Sequence, residues 1–319
     1  MSFCSDWDSS RLTSLDVTGF KTENVMNMFS MFSDCSGLTD LDVTGFKTGK
    51  VTSVAFMFSG CRGLTSLDVT GFKTDNVIYM AGMFSYCSGL KSLDVTGFKT
   101  DNVTDMDGMF SGCSSLTSLD VTGFKTNNVT TMHVMFGFCS GLMSLDLTSF
   151  ETDNVQYMTQ MFDGCRGLTS LDVTGFKTDN VTDMSWMFRG CYSLTTIYAG
   201  DGWSTSKVLD GENMFGGCTS LVGGAGTIFD GSHTDHTYAR IDGGTANPGY
   251  FTAKAGGSGE KREGDLSGDG EVDDADTEVL VSVVMGGDKD KLADADLNHD
   301  GKVDAADIVT LVNMIRSQK

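Results

Sequence analysis

The chain has 319 residues, with 43 acidic and 22 basic side chains and a net charge of −21. That charge excludes a nucleic-acid binder working through basic patches, and no apolar run approaches the ~18 residues of a membrane span. Forty Gly beside a single Pro, Pro248, exclude Pro-rich linkers and collagen-like sequence, and four His leave little material for histidine catalysis.

Residues 1–11 form an N-terminal edge. The stretch MSFCSDWDSS has neither a basic n-region nor an apolar h-region, Cys4 sits in no lipobox, and only Phe3 and Trp7 offer to cap a first coil. The expectation is the C-terminal part of a longer, exported protein.

Residues 12–220 repeat. From Cys35 to Cys191 every cysteine gap is 26 residues, and the last, to Cys218, is 27. Leu12 to Leu194 and Phe20 to Phe176 keep the same step. Self-similarity at this period marks a solenoid. In Ser14-Leu15-Asp16-Val17-Thr18, Leu and Val face one way and Ser, Asp and Thr the other, the alternation of a half-buried strand. One strand per copy, stacked in register, predicts a parallel sheet. Val25, Met28, Phe32 and Cys35 on the opposite wall suit helical turns, 3₁₀ turns or a second short strand. The fold expected is an α/β or mainly-β solenoid of stacked parallel strands. One copy cannot bury enough to offset its own ordering, so only stacking stabilises it.

Copies within the chain can be compared column by column. Asp16, Asp42, Asp68, Asp94, Asp120, Asp146 and Asp172 form an unbroken carboxylate column. It reads either as a cation or ligand strip, or as a structural column whose Asp bind nearby Thr hydroxyls and backbone N–H groups. The Lys column broken by Glu151 reads as a solvated edge. Variation concentrates between Val and Cys, where Tyr79, Tyr157 and Trp186 are the ligand-binding candidates, with Tyr86 and Phe138 nearer the Cys. Aromatic side chains supply contact area at low entropic cost. Ser149 stands where other copies have Gly19 and its equivalents, which argues against a strict positive-φ requirement there. Neighbouring rungs put parallel Cβ atoms about 4.8 Å apart. A disulfide wants roughly 3.5–4.5 Å with converging vectors, so the Cys column is expected to be buried free thiols.

The 26-residue unit, with its L-x-x-L-x-V, F-K-T-D-N-V and M-F-x-x-C segments, resembles the BspA-like leucine-rich-repeat family of bacterial surface proteins. Residues 221–252, with Tyr238 to Gly244 and Asn247 to Thr252, resemble that family's C-terminal cap. The resemblance implies an extracellular protein that binds host or microbial surface proteins or glycans.

Residues 253–264 read as a linker. Residues 265–319 hold 14 acidic residues and two near-copies of a 12-residue loop. The first offers Asp265, Ser267, Asp269, Glu271, Asp273 and Asp276; the second offers Asp296, Asn298, Asp300, Lys302, Asp304 and Asp307. Oxygen ligands at positions 1, 3, 5, 9 and 12, a backbone carbonyl at 7 (Glu271 and Lys302) and Gly at 6 make an EF-hand-type calcium loop. Two Ca2+ ions are expected. An apolar helical pattern follows each loop and no full helix precedes it, so two loop–helix motifs form a small all-α module. With Asp at position 12, this module resembles a dockerin. The resemblance implies docking onto a cohesin domain of a surface or secreted scaffold, through Asp274 and Ala275 in the first loop and Ala305 and Ala306 in the second.

No catalytic site emerges: the carboxylates form a uniform ladder rather than a distinct pair. His233 and His236 lie in a polar cap loop with no clear further metal ligands. Two functions remain. One is a non-catalytic adhesion or ligand-binding solenoid attached through its dockerin. The other is a structural spacer or colonisation factor whose calcium module only stabilises the chain.

Overall fold

A computed structural model describes residues 12–254, 264, 266, 272, 274–285 and 295–317. The chain divides into two compact units, residues 1–252 and 253–319.

In the first unit each 26-residue copy is one coil, and its apolar columns turn inward. The Leu, Val, Met, Phe and Cys columns of the repeat are buried from Phe32 onward, while Phe20 at the N-terminal end is exposed. The central Phe column stacks face to face: Phe58, Phe84, Phe110, Phe136, Phe162 and Phe188 sit 5.7–5.9 Å apart between ring centroids. Each such pair contributes about 0.5–1.5 kcal/mol beyond the area it buries.

The wall carrying Leu-Asp-Val alternates as a strand should, with Leu67 and Val69 buried and Asp68 exposed. It is nevertheless not a continuous sheet. Among the described residues, regular strands form only at β1 (Ser170–Val173) and β2 (Thr196–Ala199), paired in parallel with Ser170 opposite Thr196, and at β3 (Phe251–Ala253). The sheet order is β1-β2-β3. In earlier coils this wall is held by single backbone bonds, such as Thr39 N to Thr13 O (3.1 Å) and Lys91 N to Thr65 O (3.2 Å). A local turn ends each extended segment: Asp16 Oδ1 accepts from Thr18 N (3.0 Å) and Thr18 Oγ1 (2.7 Å). Asp42, Asp68, Asp94, Asp120, Asp146 and Asp172 do the same two residues on. The Asp side chain takes a donor that a ladder would otherwise use.

The opposite wall combines turns with bridges. Asn27, Ser53, Tyr79, Asp105, Thr131, Tyr157, Asp183 and Asp210 form a file of parallel bridges. Beside it, alternate N–H groups reach the next coil: Met28 to Ser53 O, Ser30 to Ala55 O, Phe32 to Met57 O and Asp34 to Ser59 O. The intervening Met31, Ser33 and Cys35 N–H groups bond three residues back within the coil. Left-handed backbone recurs at two columns here rather than at Gly19. One runs Ser30, Phe56, Gly82, Gly108, Val134, Gln160 and Trp186. The other runs Asp34, Gly60, Tyr86, Gly112, Phe138, Gly164 and Gly190. Stacking on both sides holds non-Gly residues in a conformation they rarely adopt.

Side chains staple coil to coil. Each buried Thr hydroxyl at the Phe-Lys-Thr corner accepts from and donates to the next coil. Thr74 Oγ1 accepts from Lys99 N (2.7 Å) and donates to Lys99 O (2.9 Å). Each Asn amide of the Asn-Val segment donates to the preceding coil, as Asn102 Nδ2 does to Asp75 O (2.8 Å). Cys61, Cys87, Cys113, Cys139, Cys165, Cys191 and Cys218 are free and buried. Each thiol points at the preceding coil's Phe carbonyl, as Cys113 Sγ does at Phe84 O (3.1 Å). Burial pushes the Cys61, Cys139 and Cys218 thiols up to about 12. Cys35 departs from the free-thiol expectation: it is disulfide-bonded, to a partner outside the described residues. The spacing that bars a disulfide applies between ladder cysteines only.

The solenoid ends in a cap. Tyr250 and Phe251 meet the last ring of the stack, Phe215, edge-on at 5.1 and 5.9 Å. Asp242 ties the cap loops together, accepting from Thr227 N, Thr227 Oγ1, Ala225 N and Gly244 N at 2.6–2.9 Å. Burial pushes its carboxyl up, but these hydrogen bonds outweigh it and hold the group at about 2.

In the second unit, α1 (Asp274–Val284) packs on α2 (Ala305–Ser317). Leu266, Val272, Leu280, Val283, Ala295, Leu297 and Leu311 form their core.

Candidate metal loop and aromatic wall

The loop from Asp296 to Asp307 folds around its own carboxylates. Asp296 Oδ2 accepts from Gly301 N (2.9 Å) and Oδ1 from Asp300 N (3.1 Å). Asn298 Oδ1 accepts from Asp300 N (3.0 Å), and Asp300 Oδ1 from Lys302 N (2.9 Å). His299 and Gly301 turn through positive φ, +58° and +83°. Asp304 caps α2, accepting from Ala306 N at 2.8 Å. Asp307 is fully buried; its Oδ1 accepts from Leu297 N (2.9 Å) and Asn298 N (3.2 Å), and its Oδ2 from Asp304 N (2.8 Å).

Of the first loop, Asp265, Ser267, Asp269, Glu271 and Asp273 lie outside the described residues. Asp276, at position 12, is fully buried and accepts from Leu266 N at 2.8 Å. That bond is the counterpart of Leu297 N to Asp307, 31 residues on. Asp274 and Ala275 open α1, with side chains outside the described set, while Ala305 and Ala306 open α2 and are exposed.

The donor chemistry fits calcium. Every donor in the second loop is a hard oxygen, from carboxylates, the Asn298 amide and the Lys302 carbonyl, and calcium takes six to eight of these. Among the described residues no three His, Cys, Asp or Glu side chains form a metal-holding group. The loop's donors are of mixed kind, so carboxylates alone are not what defines it.

On the solenoid the three aromatic candidates do not converge. Tyr79 and Tyr157 are exposed on the bridge file three coils apart, about 14 Å. Trp186 sits in a left-handed column, half-buried, with the Arg189 guanidinium 5.5 Å from its ring centre. The residues that do gather are elsewhere. Phe138, Ser140, Asp163, Gly164, Arg166, Arg189, Gly190, Tyr192 and Gly216 line a groove of about 490 Å³. Arg189 grips buried Asp163 with two bonds, Nη2 to Oδ2 (2.6 Å) and Nε to Oδ1 (3.1 Å). Gln160 Nε2 adds a third at 2.9 Å. Sequence reasoning missed this pair, although its signal was present. Asp163 and Arg189 are 26 residues apart, in a column that reads Ser33, Ser59, Ser85, Ser111 and Gly137 before them.

The Asp column is accounted for by its own turns. Side-chain and backbone hydrogen bonds from Thr70 hold the Asp68 carboxyl below its usual value, and Asp16, Asp42, Asp94 and Asp120 behave alike. In the cap, His233 Nδ1 lies 3.2 Å from Asp230 Oδ2, while buried His236 Nδ1 has no hydrogen-bond partner.

With this geometry in place, comparison with known proteins is informative. Residues 5–119, 65–143 and 110–227 match the family described as "Mycoplasma protein of unknown function, DUF285", and together these overlapping matches span well over half of the chain. The chain belongs to that family. Residues 263–316 match the Dockerin type I domain, so the C-terminal unit is a dockerin. No curated protein matches the chain. Among solved structures, a leucine-rich repeat protein from Bacteroides ovatus is similar at 18% identity and a TM-score of 0.27, covering 61% of this chain and 62% of its own. The functional domain of InlJ from Listeria monocytogenes, described as including a cysteine ladder, is similar at 16% identity and a TM-score of 0.20, covering 63% of this chain and 50% of its own. The chain thus spans less than two thirds of either structure's length. Among the described residues no helix is long and apolar enough to cross a membrane.

Proposed function

We propose that the protein is a non-catalytic, exported binding protein whose dockerin docks it, with calcium, onto a cohesin-bearing scaffold and whose solenoid holds a surface ligand. The observation that carries this reading is the Asp296–Asp307 loop, whose oxygens surround a tight turn at Gly301 in a unit that belongs to the dockerin type I domain. Two ions are assigned. Asp265, Ser267, Asp269, the Glu271 carbonyl, Asp273 and Asp276 would hold one. Asp296, Asn298, Asp300, the Lys302 carbonyl, Asp304 and Asp307 would hold the other, with Asp304 also capping α2. Bound calcium neutralises the loop carboxylates and fixes each loop against its helix. This chain's own contribution is to present Asp274, Ala275, Ala305 and Ala306 at the two helix starts as the cohesin contacts.

The solenoid's part in this reading rests on its exposed aromatics. The structural-spacer alternative gains nothing specific from the geometry. A pull-down with the full chain against a purified cohesin set, with calcium and with EDTA, tests docking. Calcium-dependent retention of a cohesin is expected; retention equal in EDTA, or none at all, contradicts it.

A further inference from the structure

The aromatic rings nearest the Cys column follow a rule that the repeat itself does not require. In that left-handed column the side chain of one coil occupies the space a Cβ would need in the next. A Cβ on Gly112 would lie 2.7 Å from the Tyr86 ring, and one on Gly164 would lie 3.0 Å from the Phe138 ring. Two residues further along, Tyr192 covers Gly217 in the same way, at 3.1 Å. From Gly60 to Gly164 large residues therefore alternate with glycine in that column. Tyr86 and Phe138 stand two coils apart there, about 10 Å, and Tyr192, two residues beyond the column's Gly190, continues the file two coils further on. They are 48%, 36% and 49% exposed.

Between Phe138 and Tyr192 the groove floor includes the backbone of Gly164 and Gly190, with Ser140, Asp163, Arg166 and Arg189 beside it. Arginine accompanies the rings. Residues 12–254 contain four Arg, and three of them are here: Arg62 is 5.9 Å from the Tyr86 ring centre, Arg166 is 5.6 Å from that of Tyr192, and Arg189 lines the groove. Arg189 is committed to Asp163, whereas Arg166 makes no ion pair among the described residues.

We infer that this file is a binding site for a linear acidic polysaccharide, with sugar rings lying on Phe138 and Tyr192 and a uronate carboxylate paired with Arg166. The inference rests on the proposed binding role of the solenoid and names its site and ligand class. Three features carry it. The partly positive C–H face of a sugar ring suits the negative face of an aromatic ring. A floor of glycine backbone lets a flat, unbranched chain approach closely. A guanidinium matches a carboxylate with two parallel N–H donors.

The test is affinity electrophoresis of the full chain through polygalacturonate and through its fully methyl-esterified form, without added calcium, beside poly-glutamate. Retardation by polygalacturonate alone is expected, and it should weaken as salt rises. Arg166→Gln should weaken it by roughly tenfold or more, as loss of one charge-assisted pair implies, and Phe138→Ala should do so with an unchanged melting temperature. Equal retardation by the methyl ester would make the ligand a neutral glycan. Retardation by poly-glutamate would make it an acidic peptide. Either result, no retardation at all, or indifference to Arg166→Gln overturns the inference. Cohesin capture by the same preparation is scored separately, so a blank gel beside intact docking removes the polysaccharide and leaves the dockerin reading standing.

Discussion

The two units solve the problem of buried backbone polarity in opposite ways. In the solenoid every coil satisfies its neighbour with uncharged groups: the Thr hydroxyls at the corner, the Asn amides, the Cys thiols and the alternate N–H groups from Met28 to Asp34. Apart from Asp107, the Asp163–Arg189 pair and the cap's Asp242, its charges take little part, and the Asp column spends its carboxylates on Thr two residues away. In the C-terminal unit the carboxylates are the frame. Asp296, Asp300 and Asp307 take the loop's N–H groups, and the apolar core beneath is small. A repeat can stabilise itself by adding coils; a duplicated loop of about 12 residues cannot, and such a loop gains its stability from a cation. The same residue type, aspartate, is therefore structural furniture in one unit and, on the proposed reading, a ligand set in the other.

The largest expected effect breaks the comparison at the cation. Adding EDTA to the full chain should remove the thermal transition of the C-terminal unit while leaving the solenoid transition in place. Binding stabilises by about 4 kcal/mol at a thousandfold excess over Kd. Scanning calorimetry with and without calcium reads this, and a solenoid transition that falls with EDTA would assign the cation to the wrong unit.

Next in size is the left-handed column. Gly112→Ala puts a Cβ 2.7 Å from the Tyr86 ring at a φ of +73° and should destabilise the solenoid by about 1–3 kcal/mol. Adding Tyr86→Ala should recover part of the loss. Chemical denaturation checks both, and no recovery would mean that φ strain alone sets the cost.

The staples come next. Thr100 is buried, and its hydroxyl serves both the N–H and the carbonyl of Lys125. Thr100→Val should cost about 1–3 kcal/mol by stranding those groups, whereas Thr100→Ser should cost less. A larger loss from the Ser variant than from the Val variant would show that the methyl group, rather than the hydroxyl, matters.

The smallest effect lies in acid. Asp242 is held at about 2 in the folded cap, against an ordinary value of about 3.9 when unfolded. Its contribution is complete above about pH 4 and disappears as the pH falls through about 2. Asp242→Asn should flatten the acid side of the solenoid's stability curve over that window, and a curve that keeps its slope would place the dependence elsewhere.

Much of this was legible in the sequence because period and composition are sufficient for it. The 26-residue columns told which side chains face inward, and Leu, Val, Met, Phe and Cys are indeed buried. The spacing of Asp296, Asn298 and Asp300 about Gly301 marked the loop. What stayed hidden was the backbone path. Val134 and Gln160 adopt positive φ with no glycine to announce it, since the neighbouring coils impose the conformation. The strand wall was over-read for a related reason: alternation reports burial and not hydrogen bonding, and only Ser170–Val173 and Thr196–Ala199 pair regularly there. The groove escaped because Arg189 and Asp163 interrupt the repeat instead of following it.

The account turns on aspartates of one unit binding calcium and those of the other not doing so. Isothermal titration of calcium into the full chain measures this directly. It should give two sites, falling to one in the Asp296→Ala, Asp300→Ala double variant, with no change when Asp94 and Asp120 are both replaced by Asn. A stoichiometry above two that falls with the Asp94 and Asp120 replacements would contradict it, as would two sites that survive loss of Asp296 and Asp300.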